Sequence, residues 1–267
     1  MNISTSTPIA EGRTAEVYLW DDRHILKLYR EWCPPDWVEH EARIARAVDA
    51  AGVPTPAAGE IVELAGRRGL VYERLEGKSM LQEINARPWT LLQQARALAE
   101  LQATINRQSI SGLPLYKDRL DYDIRHTEHL DQRLQTKALA LLGSLPSGTR
   151  LCHGDYHPGN VLITENGPVV IDWITASAGS PWTDAARTSL ILTIGAKAAG
   201  DRVRPIVRLA IRLYHRIYLH RYTALMLDTD HELKRWRPVI AAARLSENII
   251  PEREALIRMV KEGLADD

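Results

Sequence analysis

The chain has 267 residues, enough for one large domain or two lobes with real cores, and its 34 Lys plus Arg against 34 Asp plus Glu leave no net charge, which argues against a nucleic-acid binder relying on bulk charge. Cys33 and Cys152 make no disulfide framework, the opening Met-Asn-Ile-Ser-Thr-Ser-Thr-Pro lacks the basic start and apolar run of a signal peptide, and Leu190-Ile191-Leu192-Thr193-Ile194 is far too short to span a membrane. A soluble, cytoplasmic protein with no nucleic-acid or membrane partner is expected; nothing speaks to oligomeric state.

Residues 1–75 read as a small β-rich lobe and 76–267 as a mainly helical one. Glu11-Gly12-Arg13-Thr14 opens on a turn residue and runs into a strand through Trp20, and after Asp21-Asp22-Arg23 a second strand, His24-Ile25-Leu26-Lys27-Leu28-Tyr29, follows. Period 2 puts Ile25, Lys27 and Tyr29 on one face. Lys27 is the odd member: either a gatekeeper lysine on an edge strand or a functional cation. Asp36 is a candidate cap for a helix to about Ala51, with Val38, Ala42, Ala45 and Val48 at helical spacing and Gly52 and Pro54 ending it. This helix carries Glu39 and Glu41. Residues 61–65 and 70–75 read as strands around the turn Gly66-Arg67-Arg68-Gly69, and 73–77 as the hinge between lobes.

Helices dominate thereafter. Residues 89–107 repeat Leu91, Leu92, Ala95, Leu98, Leu101 and Ile105 at core-helix spacing, and 119–142 form a second helical stretch rich in Asp, Arg and His. The richest stretch is 151–173. It gathers His153, Asp155, His157 and Asn160, followed by Val161-Leu162-Ile163 and Val169-Val170-Ile171 around Glu165-Asn166-Gly167, a hairpin signal. The hairpin should return Asp172 towards the loop. Helices are expected over 185–198, 202–227, 231–245 and 251–264, with Asp184 as N-cap of the first or brace of the 153–160 loop. On the second, Arg204, Arg208, Arg212, Arg216 and His220 recur every four residues, as a solvated face, an anion-attracting wall or a membrane-surface helix, while Leu209, Leu213, Ile217 and Tyr218 should face the core.

A carboxylate near a hydroxyl can orient it and take its proton, and an Asn oxygen with a second carboxylate suits Mg²⁺ beside phosphates. Phosphoryl transfer needs these parts, and Asp155-x-x-x-x-Asn160 has the spacing of a kinase catalytic loop. The alternatives are a metal-hydrolase cluster of His153, Asp155 and His157 and a buried, non-catalytic polar loop; against the first, Pro158-Gly159 breaks a strand there and no further close His pair follows.

His153-Gly-Asp155-Tyr-His157-Pro-Gly-Asn160-Val-Leu with Ile171-Asp172-Trp173 resembles the aminoglycoside phosphotransferase and choline kinase superfamily of small-molecule kinases. Glu41-Ala-Arg-Ile through Gly52-Val-Pro-Thr-Pro56 and Gly179-Ser-Pro-Trp-Thr-Asp184-Ala-Ala are similar to two further segments of it. The resemblance implies a two-lobed, protein-kinase-like α+β fold with ATP and Mg²⁺ in its cleft, and γ-phosphoryl transfer to a small-molecule hydroxyl. It implies Asp155 as base and His157 beside the γ-phosphate, where a histidine that merely braces the loop is the alternative. It makes Asn160 and Asp172 the metal ligands, and Lys27, held by Glu41, the grip on the α- and β-phosphates. Gly12, Arg13 and Thr14 would form a reduced phosphate loop. Ile25, Leu162 and Ile171 would line the base, with hinge backbone at Glu73 and Leu75. The rivals are a protein kinase and a nucleotide-binding pseudokinase. Against the first, Gly154 stands where protein kinases place arginine, and neither Phe-Gly after Asp172 nor a downstream Ala-Pro-Glu is present.

Overall fold

The computed structural model describes residues 7–198, 204–227 and 230–265. In chain order the elements are β1 (Ala10–Glu11), β2 (Ala15–Leu19), β3 (His24–Tyr29), α1 (Asp36–Ala50), β4 (Ala58–Leu64), β5 (Arg67–Glu73), β6 (Lys78–Ser79), α2 (Met80–Ala86), α3 (Leu91–Ile105), α4 (Tyr116–His126), α5 (Gln132–Ser144), β7 (Arg150–Cys152), β8 (Val161–Thr164), β9 (Gly167–Val170), β10 (Ser177–Gly179), α6 (Pro181–Ala198), α7 (Pro205–Met226), α8 (Asp230–Arg244) and α9 (Arg253–Gly263). They pack as two units, residues 1–80 with 159–175 and residues 81–158 with 176–267. The hairpin β8–β9 therefore groups with the first eighty residues, where the sequence had placed it among the helices. Its β8 strand pairs β6, and the Val170 N–H donates to the Pro54 carbonyl at 2.8 Å.

The first unit is built on an antiparallel sheet of order β1-β2-β3-β5-β4. Alternation along β3 splits its side chains cleanly. Leu26 and Leu28 join Val71 on one face, and Tyr29, with Ile25 beside it, packs on the other against Val38, Ala42 and Ala45 of α1. Burying each such aliphatic side chain contributes roughly 1.5–3 kcal/mol. Lys27 pairs across β3 with Val17 on one side and Leu70 on the other, so its strand is interior and the edge-gatekeeper alternative fails. α1 begins with Pro35 at the cap and Asp36 already inside, without a side-chain cap. The β4–β5 turn is the two residues Ala65 and Gly66, both at positive φ (51° and 76°), and Arg67 to Gly69, expected in the turn, are strand. That geometry matches the twist of the flanking strands. In β8–β9 the positive φ falls on Gly167 (111°), one residue past the Glu165-Asn166 turn.

The second unit is mainly helical. The expected 119–142 stretch is two helices, because Asp131 caps α5 by accepting from the Leu134 N–H at 2.8 Å. α7 packs on α3 through Tyr214, Tyr218 and Tyr222, spaced by four so that they share one face. Their hydroxyls donate to the Gln94 carbonyl at 3.4 Å, to Gln102 Oε1, and to Asn106 Oδ1 at 2.7 Å. Of the residues expected to face the core Tyr218 does, fully buried, whereas Leu209 and Leu213 are 59% and 45% exposed. The first two residues of the expected 202–227 helix lie outside the described residues, as do residues 1–6. Among the described residues no helix is long and apolar enough to cross a membrane.

Gly69 faces Leu28 in the register of β3 and β5, and a Cβ there would stand 2.9 Å from the Lys27 carbonyl oxygen and 2.7 Å from Leu26 Cδ1. Gly69→Ala must push β5 off the strand that carries Lys27. A loss of about 1–3 kcal/mol is expected, read as a lower midpoint in urea unfolding; an unchanged midpoint would contradict this packing.

Candidate active site

In the first unit an interior strand delivers a cation into an apolar face, and the sequence supplies its counter-charges from two directions. Lys27 Nζ donates to Glu41 Oε1 of α1 at 2.8 Å and to Asp172 Oδ1, past the end of β9, at 2.8 Å. Glu41 is 1% exposed, and the same Oε1 accepts the Tyr72 hydroxyl at 2.7 Å. Burial alone would push the Lys27 ammonium down; Glu41 and Asp172 overcome it and hold the group well above its ordinary range. Burial first, and then the Glu41 carboxylate, push the Tyr72 hydroxyl up. Glu39, the other acid of α1, pairs at the surface with Arg68 at 2.5 Å. The helical offset of two residues separates the two acids: Glu41 turns inward and Glu39 outward.

Asp172 has φ 66°, left-handed backbone that costs a non-glycine residue energy and clusters at functional sites. The turn aims its carboxylate at Lys27 while leaving the side chain 44% exposed. The Ile171 N–H donates to the Asn160 carbonyl at 3.0 Å, so Asn160 and Asp172 sit at the same end of the hairpin. Leu162 and Ile171 fall on its partly exposed face, opposite the buried Val161 and Val170. Gly12, Arg13 and Thr14 form the β1–β2 turn, closed by the Gly12 N–H to the Ala15 carbonyl at 2.8 Å. The Arg30 N–H donates to Thr14 O at 2.9 Å. Ile25 lies on the Lys27 face of β3. Glu73 ends β5, its N–H donating to Ala57 O at 2.9 Å, and Leu75 follows, half-buried.

In the second unit the loop after β7 holds Asp155. Gly154 has φ 78°, which glycine adopts without cost, and its N–H donates to Asp184 Oδ1 at 2.8 Å. Asp184 is fully buried, and its other oxygen accepts from Gln102 at 3.2 Å and Asn106 at 3.1 Å. Since α6 begins at Pro181, Asp184 lies inside the helix: it braces the loop and does not cap. His153, buried, accepts the Asp155 N–H on Nδ1 at 3.2 Å. The segment is a turn and not a strand, so the alternating face needed for the hydrolase alternative does not form. Among the described residues no group of three or more His, Cys, Asp or Glu could hold a metal ion.

Asp155 Oδ2 lies 3.7 Å from His157 Nε2, an ion-pair distance too long for a hydrogen bond, and Oδ1 lies 3.4 Å from Arg187 Nη2. Burial would raise the Asp155 acidity constant, but His157 and Arg187 outweigh it and hold the carboxyl well below the usual carboxylate range. Asp155 is thus an anion across the neutral range. Sequence reasoning gave no role to Tyr72 or Arg187. Arg187 carried a signal in hindsight, standing one helical turn after Asp184.

Comparison with known proteins bears on this arrangement. The model of the phosphotransferase enzyme family matches residues 5–220. No curated protein sequence matches the chain. Among solved structures, a thermostable mutant of the aminoglycoside phosphotransferase APH(4)-Ia, in ternary complex with AMP-PNP and hygromycin B, superposes with a TM-score of 0.65 at 16% identity, covering 98% of this chain and 93% of that one. A choline/ethanolamine kinase family protein from Mesorhizobium loti gives 0.61 at 15% identity, covering 98% and 89%. An aminoglycoside-3'-phosphotransferase of type VIII gives 0.60 at 18%, covering 89% and 91%. At such identities the likeness carries the fold: a kinase-like α+β architecture. The chain belongs to the phosphotransferase enzyme family.

Removing Lys27 strands a buried carboxylate. Lys27→Ala should destabilise by about 3–5 kcal/mol, and Lys27→Ala/Glu41→Ala should cost clearly less than the two single changes summed, measured by chemical denaturation. Additive losses would mean that the pair is not energetically coupled.

Proposed function

We propose that this enzyme transfers the γ-phosphoryl group of ATP to a hydroxyl of a small molecule, in the cytoplasm. The observation that carries the reading is Lys27, 16% exposed, held between the carboxylates of Glu41 and Asp172. An ammonium fixed by two carboxylates on an interior strand is a poor way to stabilise a sheet, and a good way to present a charge to phosphate oxygens. The AMP-PNP in the APH(4)-Ia complex supports the choice of nucleotide.

On this reading the first unit serves the nucleotide. Lys27 binds the α- and β-phosphates, and backbone N–H groups of the Gly12-Arg13-Thr14 turn bind their oxygens. Ile25, Leu162 and Ile171 lie against the adenine, and backbone at Glu73 and Leu75 hydrogen-bonds its edge. Asn160 and Asp172 fit Mg²⁺: both offer hard oxygen donors at one end of the hairpin, and Asp172 is exposed enough to be reached. Bound there, Mg²⁺ would neutralise charge on the phosphates.

Asp155 serves the acceptor. Its carboxylate receives the hydrogen bond of the substrate hydroxyl and aligns the oxygen. As the oxygen–phosphorus bond forms and the β–γ bridging bond breaks, the hydroxyl proton passes to Asp155 and ADP leaves. A carboxylate this acidic is a weak base, which suits a loose transition state where the proton moves late. His157 lies beside the same carboxylate and, on this reading, donates to the transferring group.

Asp155→Asn should keep ATP binding and lose transfer to below about a hundredth of wild-type kcat, on the scale of general-base effects. The measurement is Mg²⁺-dependent ADP release with a panel of alcohols and amino alcohols. Turnover above that level would remove Asp155 from the role, and nucleotide binding by wild type without turnover on any acceptor would favour a binding protein.

His157 gives a separate check. If it donates to the phosphoryl group, His157→Gln lowers kcat and His157→Lys restores much of it. An unchanged kcat in His157→Gln would leave the histidine a loop brace.

A further inference from the structure

Beyond the groups given roles above, the second unit holds a partly buried row of alternating charges that ends on Asp155. Arg187 of α6 is 6% exposed. Its Nη2 lies 2.5 Å from Glu247 Oε1 in the turn after α8, and 3.4 Å from Asp155 Oδ1. The other Glu247 oxygen accepts Arg244 Nη1 at 3.1 Å, and Arg244 in turn grips Glu252 through Nε at 2.6 Å and Nη2 at 3.1 Å. The order is Asp155, Arg187, Glu247, Arg244, Glu252.

The sharing of the guanidinium is unequal. Charge-assisted bonds run at about 2.7–2.9 Å, so Glu247 holds Arg187 fully and Asp155 holds it loosely. Burial would push the Arg187 guanidinium down, yet Glu247 first, with Tyr116 and Asp155, keeps it above its ordinary range. A buried cation keeps a carboxylate partner. Were Glu247 neutral, Asp155 would be the carboxylate left within ion-pair distance of that guanidinium among the described residues. Asp155 would then close onto Arg187 and cease to be available to a hydroxyl.

We propose that Arg187 and Glu247 are positioning residues for Asp155: Glu247 draws the guanidinium back so that it steadies one carboxylate oxygen without capturing it. The inference rests on Asp155 as the acceptor-facing group. It gives a purpose to a C-terminal turn almost a hundred residues from the catalytic loop, since Glu247 reaches Asp155 through Arg187. The other charged and titratable groups facing these residues are His153 and His157 of the loop, Tyr116, Arg119 and Asp123 of α4, and Arg244 of α8.

The test separates positioning from mere scaffolding. Glu247→Gln should lower kcat by roughly tenfold to a hundredfold, the scale of loss when a reacting group is displaced by about 1 Å, with KM for ATP unchanged, and Glu247→Asp should restore part of it. Arg187→Met/Glu247→Gln should be no worse than Arg187→Met, because Glu247 has nothing left to act through. The Asp155 carboxyl, followed by carbon NMR in the protein without acceptor, should titrate at higher pH in Arg187→Met and should not move upward in Glu247→Gln. Upward movement in both, or in neither, overturns the couple, as do multiplying losses in the double variant. Should Arg187→Met fail to fold, Glu247→Gln and Glu247→Asp decide it. Should wild type transfer phosphate to no acceptor, the functional reading falls, and the NMR titrations still judge the couple.

Discussion

Everything in the first unit follows from placing one charge where the sheet least tolerates it. An ammonium on an interior strand loses its water and can keep its charge only if carboxylates come to it. Glu41 must therefore face inward, which fixes the rotation of α1 about its axis. Asp172 must arrive from 145 residues further along the chain, which ties the β8–β9 hairpin to a sheet assembled from the first seventy-five residues. Tyr72 completes the set by filling a lone pair of the buried carboxylate that Lys27 does not use. Take away the lysine, and neither the orientation of the helix nor the docking of the hairpin has an electrostatic reason.

The second unit solves a different problem, how to hold a turn whose backbone is unusual and whose carboxylate must stay charged. Asp184 does the first part. It is buried with no cation at bonding distance among the described residues, and is satisfied by the Gly154 N–H and by the amides of Gln102 and Asn106. Neutral donors suffice because several of them converge on one carboxylate. Arg187 does the second part from the same helix, one turn later. A single helix, α6, thereby positions both the backbone and the side chain of the loop.

Much of this was legible in residues alone, and the reasons differ by element. Period 2 on β3 isolated Lys27 as a charge on an apolar face, and two acids on one helix left a choice that the motif resolved towards Glu41. The spacing from Asp155 to Asn160 and the return of Asp172 by a hairpin were visible because hairpin and loop chemistry are local. What escaped was long-range. That β3 lies inside the sheet depends on where β5 pairs, and nothing near Lys27 encodes it. The Arg187–Glu247 contact joins residues sixty apart in sequence, and helical spacing says nothing about such partners. On α7 the expected core face named Tyr218 together with Leu209 and Leu213; the leucines turn outward, and Tyr214 and Tyr222 share the inner face with Tyr218.

That last point has a wider consequence. The chain has no phenylalanine and nine tyrosines, so the aromatic filling between α3 and α7 brings a hydroxyl with every ring. A phenylalanine interface is forgiving: hydrocarbon slides on hydrocarbon at little cost, and neighbouring registers differ by small packing terms. Here Tyr214 and Tyr218 end on oxygens of α3, and Tyr222 on Asn106 directly after it. A slide of α7 by half a turn would pull all three hydroxyls off their present acceptors together, away from water. The helix pair behaves as a keyed joint, in which grease has been replaced by pegs and only one setting closes.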